Sequence, residues 1–254
     1  MEAYKNIQIR RIRSGLSEEA GDLIAVEKRL KISINGKNAI NLYCTPLMLK
    51  ELVVGIIHSE GLITGEWCAE EMNIEYGGDE IHVDIPSAGS IRKGEATITS
   101  GCAGGMTFMR AVPDTVISDG ISFKAETVRK IFSEFQKMSE IFRLTGGVHS
   151  AALTDGGKII TSAEDIGRHN AVDKVIGASV LEGISFSSRM MLVSGRLSSE
   201  IVLKCAGCGI PVLVSRAAPM SLAVEIAEKT GVTLVGFLRR DRMNVYTAEQ
   251  RIVL

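Results

Sequence analysis

Beyond residue 146 the sequence alternates short apolar runs with amphipathic stretches, and few architectures accommodate that rhythm. The apolar runs predict strands at residues 150–153, 158–162, 190–193, 212–215 and 233–238. Helical spacing predicts helices at residues 167–181, 198–208 and 221–230. A longer helix precedes them over residues 122–142, with Val128, Ile131, Phe132, Phe135, Met138 and Phe142 on one buried face. Strands alternating with helices argue for a layered α/β sheet, here with one antiparallel hairpin turning at Asp155-Gly156.

The first third reads as β-rich. Residues 22–34 are extended in character, Asn35-Gly36 is a hairpin turn, and residues 39–43 return. Thr45-Pro46 has the form of an N-cap and first-turn proline, opening a helix that runs to about His58. Gly77-Gly78 joins short strands at residues 72–76 and 80–85. Pro113 and Asp119-Gly120 mark a soft boundary between a β-rich portion, residues 1–110, and an α/β domain, residues 111–254.

Composition narrows the function classes. A chain of 254 residues with 45% hydrophobic content can bury a sizeable core. A net charge of −1 gives no general pull toward nucleic acid or anionic membrane, so neither is an expected partner and any anion site is local. Five cysteines are too few and too irregularly spaced for a disulfide scaffold. The opening Met1-Glu2-Ala3-Tyr4-Lys5 lacks a signal peptide's apolar core, and no apolar run is long enough to span a membrane. The expectation is a cytoplasmic soluble protein.

Five stretches could carry chemistry. Thr99-Ser-Gly-Cys-Ala-Gly-Gly105 surrounds Cys102 with glycines and hydroxyls rather than with Val, Ile or Leu. Backbone N–H groups of such a loop can face the sulfur and favour its thiolate; the alternative is a glycine-rich hairpin with an incidental cysteine. Residues 164–177 join a strand to a helix that Asp165 can cap, with Arg168 and His169 in or near the first turn, where a charge can meet a ligand. Residues 194–200 repeat the junction with Arg196, Ser198 and Ser199, and Ser215-Arg216 repeats it again. Phe237, Leu238, Arg239, Arg240, Asp241 and Arg242 end the last strand with three arginines suited to pyrophosphate. Each is equally a capped or solvated surface; three such junctions on one sheet edge favour a ligand, since α/β ligands gather at the carboxyl ends of strands. Cys205 and Cys208 spell C-A-G-C, but no second Cys/His pair stands at zinc-site spacing. They read as small apolar helix residues, and no structural zinc or other metal site is expected.

Together these stretches resemble the formate dehydrogenase accessory sulfurtransferase family (FdhD). The resemblance rests on T-S-G-C-A-G-G, G-G-V-H-S-A-A-L, E-D-I-G-R-H-N-A-V-D-K-V-I-G, V-S-G-R-L-S-S-E, G-I-P-V-L-V-S-R-A-A-P and G-F-L-R-R-D-R-M-N-V-Y, which cover most of the chain in order. It implies a fold with a cytidine-deaminase-like layered α/β core and a β-rich N-terminal portion, acting as a homodimer. It implies that Cys102 carries persulfide sulfur from a cysteine desulfurase to the molybdenum or tungsten bis(guanine dinucleotide) cofactor needed by formate dehydrogenase. Residues 237–242 are then the cofactor-binding segment, and Arg168, His169 and Arg196 complete the cofactor site. The rival reading is a chaperone that binds the same cofactor without covalent chemistry. Many members carry C-x-x-C in the loop, whereas this chain has Gly105 at the second position. That leaves a persulfide role intact and puts disulfide exchange in doubt. Deaminase chemistry is not expected, because Ala171 replaces the proton-shuttling glutamate after His169 and the P-C-x-x-C cysteines are missing.

Overall fold

In the computed structural model, which describes residues 1–91, 96–98, 106–108, 112–113 and 116–254, the chain opens with a ribbon. Strands β1 (Tyr4–Arg13) and β2 (Leu16–Ala25) pair antiparallel along their whole length. The sequence suggested one extended stretch over residues 22–34; the chain instead ends β2 at Ala25 and starts β3 (Lys28–Ile34) as part of another sheet. Asn35-Gly36 makes the expected turn, both residues at positive φ, and β4 (Lys37–Cys44) returns. With β5 (Asn73–Tyr76) and β6 (Glu80–Ile85) these form a four-stranded sheet in the order β4-β3-β6-β5.

Helix α1 (Leu49–Glu60) covers that sheet, and Leu52, Val53, Ile56 and Ile57 share a core with Leu30, Ile32, Ile81 and Val83. The helix starts later than Thr45-Pro46 predicted. Thr45 does not cap it, because its hydroxyl and N–H are spent on the carboxylate of Asp165 at 3.0 and 3.1 Å.

The predicted helix over residues 122–142 is broken in two, α2 (Ala125–Met138) and α3 (Glu140–Thr145). The break lies at Ser139, whose hydroxyl meets that of Ser150 at 2.6 Å. Beyond it, the Glu164 carboxylate accepts the N–H groups of Ile141 and Phe142 at 3.0 and 2.9 Å, giving α3 its own N-terminal partner.

From there the alternation holds. Strands β7 (His149–Thr154) and β8 (Ile159–Asp165) form the hairpin at Asp155-Gly156. Then follow α4 (Arg168–Leu181), β9 (Met190–Val193), α5 (Ser199–Cys208), β10 (Val212–Ser215), α6 (Ser221–Thr230), β11 (Thr233–Gly236) and β12 (Asn244–Val245). They make a six-stranded mixed sheet in the order β8-β7-β9-β10-β11-β12, parallel only from β9 to β11. The short strands are buried on both faces. Met191, Val193, Leu213 and Leu234 point into a core with α4, α5 and α6. Met190, Leu192, Val212, Val214 and Val235 point the other way, onto Val128, Phe132 and Phe135 of α2. The result is a mixed α/β fold with a second, smaller sheet. Among the described residues no helix is long and apolar enough to cross a membrane.

The two sheets are joined through α1 and α4, which cross with their backbones in contact. A Cβ at Gly177 would lie 1.8 Å from the carbonyl oxygen of Glu51, and one at Gly55 would lie 1.8 Å from that of Asp173. Beside this crossing Lys204 of α5 donates to Asp173 at 2.8 and 2.9 Å, to Glu60 at 2.8 Å and to Ser59 at 3.0 Å, all in the interior. Burial alone would lower the pKa of Lys204, but the two carboxylates outweigh it and hold the ammonium charged.

Candidate functional site: the sheet edge at His149, Ser194, Ser215 and Phe237

Parallel pairing of β9, β10 and β11 puts their carboxyl ends on one edge of the sheet. Strand β7 runs antiparallel to β9, with Ala151 opposite Val193, so its first residue, His149, arrives at the same edge. Strand β8 runs antiparallel to β7, which brings Asp165 there as well, opposite His149. Five strands thus deliver their junctions to one place.

Those junctions are stitched together. Ser194 donates its N–H to the carbonyl of Ser150 at 3.0 Å and accepts the N–H of Ser150 on its hydroxyl at 2.9 Å, with Nδ1 of His149 at 3.3 Å. The Ser215 hydroxyl donates to the Gly195 carbonyl at 2.7 Å. Leu197 donates to Ala218, and Phe237 and Leu238 donate to Ala217 and Ser215. Gly195 packs closely under the turn, since a Cβ there would lie 3.1 Å from Cβ and 3.2 Å from Cδ of Arg168 and touch Nδ1 of His149 at 3.5 Å.

The turn that carries Arg168 and His169 is fixed from beneath. Asp165, fully buried, accepts the Gly167 N–H at 2.9 Å and the Asn170 amide at 2.8 Å on one oxygen. Its other oxygen takes Lys174 at 2.6 Å and Thr45 from the N-terminal portion. Asp165 therefore supports the turn ahead of α4. Ser198 stands at the N-cap position of α5, yet its hydroxyl meets Nε2 of His169 at 3.2 Å and makes no cap bond.

Electrostatically the edge is basic. Arg168 is buried at its centre, while Arg196 and Arg216 are exposed on the loops. Burial lowers the pKa of His149, assisted by Arg168 and Arg196. His169 is pushed down to about 4, by burial first and then by Lys204 and Arg168, against the pull of Glu200. Both imidazoles are therefore neutral donors or acceptors at neutral pH, and the arginines supply the positive charge. Beside them a cleft of about 560 Å3 opens between the α2–α3 corner and the β7 junction, with Phe135 and Phe142 on one wall and His149, Ser194 and Arg216 on the other. An apolar wall facing a polar, basic one suits a flat ring that bears an anionic group.

Most of the residues expected from the sequence meet here. Arg168, His169 and Arg196 belong to adjoining junctions. Residues 237–242 form the loop between β11 and β12, and they are not equivalent. Leu238 is buried in the α2-facing core, and Phe237 is half-buried. Arg239 donates to the carbonyls of Arg216 and Leu238 at 2.6 and 2.8 Å, bracing one junction against the next. Arg240, Asp241 and Arg242 are exposed. Ser194 and Arg216 come with the junctions at residues 194–200 and 215–219, while His149 joins the site although it had not been singled out as a binding residue. Cys102, the expected sulfur carrier, lies outside the described residues.

Cys205 is fully buried in α5, and burial drives its thiol far above the ordinary range. None of Cys44, Cys68, Cys205 and Cys208 is in a disulfide, and among the described residues no group of His, Cys, Asp and Glu has the arrangement of a metal site.

Known proteins resemble this chain from end to end. The chain is 34% identical over 260 aligned residues to the sulfur carrier protein FdhD of Listeria monocytogenes serotype 4b, covering 99% of this chain and 100% of that one. It is 35% identical to the protein of that name from Sulfolobus acidocaldarius, covering 98% of this chain and 99% of the other. A crystal structure called that of a formate dehydrogenase accessory protein, from Desulfotalea psychrophila, superposes with a TM-score of 0.82 at 27% identity, over 99% of this chain and all of that one. Residues 25–253 match the FdhD/NarQ family along nearly the whole chain, and the protein belongs to that family.

Proposed function

We propose that this protein carries sulfur for the maturation of formate dehydrogenase, with Cys102 as carrier and the basic sheet edge as the place where the acceptor is held. The observation that carries the reading is the full-length similarity to proteins named sulfur carrier protein. The acceptor is the molybdenum or tungsten bis(guanine dinucleotide) cofactor, handled as substrate in the cytoplasm. The cleft beside His149 and Arg216 supports this, since it offers an apolar wall to a ring and the Arg216 guanidinium to a phosphate.

In the first step the Cys102 thiolate attacks the outer sulfur of a persulfide on a cysteine desulfurase. The S–S bond of the donor breaks, its cysteine leaves as thiolate, and Cys102 holds the persulfide. Delivery of that sulfur to the metal as a sulfido ligand takes two electrons, supplied by an external thiol. With Gly105 in place of a second cysteine, the loop does not supply them by closing a disulfide.

Residues 111–254 are read as a cytidine-deaminase-like core. The hairpin β7–β8 leading into three parallel strands, with His169 in the first turn of α4, supports that comparison. Ala171 follows where a deaminase needs its acid, so the pocket binds and does not hydrolyse.

Incubation with a desulfurase and cysteine is expected to add one sulfur atom to the peptide holding Cys102, removable by a reducing thiol. Cys102→Ser loses that label and the activation of formate dehydrogenase, while binding of GDP, a fragment of the cofactor, is unchanged. If the serine variant still activates the enzyme, the protein is a non-covalent chaperone of the cofactor instead.

A further inference from the structure

Thr45-Pro46 has the sequence of a helix start, yet Thr45 caps nothing: α1 begins at Leu49 without a side-chain cap. Thr45 is fully buried, and its polar groups serve another part of the molecule. The hydroxyl donates to Oδ2 of Asp165 at 3.0 Å and accepts the ammonium of Lys174 at 2.7 Å, while the Thr45 N–H donates to the same Oδ2 at 3.1 Å. Lys174 and Asp165 are themselves an ion pair at 2.6 Å, neither exposed to solvent. A buried ammonium needs an acceptor for each of its protons. Lys174 finds them in the Asp165 carboxylate, the Thr45 hydroxyl, and the carbonyls of Thr45 and Glu164, each of the last two at 3.3 Å.

The two oxygens of Asp165 have separate tasks. Oδ2 is held by Thr45 and Lys174, while Oδ1 holds the Gly167 N–H and the Asn170 amide. Asn170 also donates to the carbonyl of Tyr43 at 2.9 Å, two residues before Thr45. Gly167 and Asn170 bracket Arg168 and His169. The end of β4 thus grips the turn that carries both, largely through one carboxylate. We propose that Thr45 is a positioning residue for the acceptor site, fixing through Asp165 the angle at which the turn presents Arg168 and His169 to the acceptor. The inference rests on the reading of this edge as the acceptor's place. Without the hydroxyl, Lys174 loses its 2.7 Å acceptor and Oδ2 loses a donor. The carboxylate then turns toward the ammonium, and Oδ1 swings away from Gly167 and Asn170. Arg168 packs against Gly195, and His169 meets Ser198 at 3.2 Å, so a small rotation of the turn misplaces both against the neighbouring junction.

Calorimetry with GDP on the full chain tests this. Thr45→Val removes the hydroxyl, keeps the backbone N–H and is expected to weaken binding about tenfold. Thr45→Ser keeps the hydroxyl and should bind as the wild type does. Proton NMR of the four imidazoles gives a second reading. The His169 signal, identified by its absence in His169→Gln, is expected to move in the valine variant and to hold its place in the serine variant. A merely structural Thr45 would lower the urea midpoint of the valine variant, yet leave the affinity of the folded protein and the His169 signal as they are. That result overturns the proposal, and so does equal weakening in the valine and serine variants. Should the valine variant not fold, Thr45→Ala takes its place under the same outcomes. Affinity lost in Arg216→Ala but kept in Thr45→Val removes the positioning role alone, whereas a wild type that does not bind GDP removes the acceptor site and the positioning role together.

Discussion

Replacing Gly177 by alanine tests what holds the two sheets together. An exposed helical glycine gains about 1 kcal/mol from such a change, since alanine is the better helix former. Here the new methyl would lie 1.8 Å from the Glu51 carbonyl oxygen, 2.7 Å from its carbon and 2.7 Å from the Gly55 nitrogen. All three are backbone atoms, so no side chain can rotate away. Carbon and oxygen sit comfortably at roughly 3.5 Å, which forces α1 and α4 apart by more than an ångström. Overpacking of this kind costs about 1–3 kcal/mol by itself. The same displacement pulls Ser59 and Glu60 of α1 away from Lys204, whose bonds to Glu60 and Asp173 are 2.8 Å long. Stretching a buried ion pair adds to the cost, because the charges stay buried while their attraction falls.

The gain in helix propensity offsets about 1 kcal/mol of the overpacking and the stretched ion pair adds to it again, so the expected net loss for Gly177→Ala is about 1–3 kcal/mol. Gly55→Ala meets the Asp173 carbonyl in the same way, and the double variant should cost less than the sum, since one separation of the helices makes room for both methyls. Urea unfolding read by circular dichroism and by the single tryptophan, Trp67, measures the loss and shows whether the smaller sheet unfolds separately. Gly120→Ala is the control, as nothing lies within 4 Å of a Cβ there. Equal stability of Gly177→Ala and Gly120→Ala would refute the backbone-contact account.

Further predictions address the charges and the site. Lys204→Met leaves Asp173 and Glu60 buried without their cation and is expected to cost about 3–5 kcal/mol in urea unfolding, whereas a loss below about 1 kcal/mol would contradict the buried network. His169 is depressed from 6.5 to about 4, so its contribution to stability is complete above 6.5 and is lost as pH falls toward 4. His169→Gln should remove that part of the pH dependence, about 3 kcal/mol across the window, and an unchanged acid limb would show that His169 is not its source. Arg196→Ala and Arg216→Ala should each weaken GDP binding about ten- to a hundredfold by calorimetry if they meet its phosphates, and unchanged affinity in both would remove those loops from the site. Replacing Cys205 and Cys208 together by alanine should leave metal content and sulfur transfer unchanged, and loss of bound zinc would restore the C-A-G-C site.

What the sequence disclosed and what it withheld divide along the range of the interactions. Runs such as Met190–Val193 and Val212–Ser215 are apolar on both faces because both faces are covered, and four consecutive buried residues between helices announce that locally. Thr45-Pro46 announced a helix start that did not form there, since the hydroxyl of Thr45 serves Asp165, 120 positions away. The break at Ser139 is hidden for the same reason: its partners are Ser150 and, beyond it, Glu164 bonding α3. The ribbon escaped because its strands are full of charge, with Lys5, Arg10, Arg11 and Arg13 in β1 and Glu18, Glu19 and Asp22 in β2. The site shows the same division. Arg168, His169 and Arg196 follow strands β8 and β9, so the rule that ligands gather at carboxyl ends finds them. His149 begins a strand, and the rule passes over it. It reaches the ligand edge only because β7 runs antiparallel to β9, a pairing set between segments forty residues apart in the chain. In a mixed sheet the functional edge collects strand beginnings as well as ends, and a junction motif read along the chain supplies only half of it.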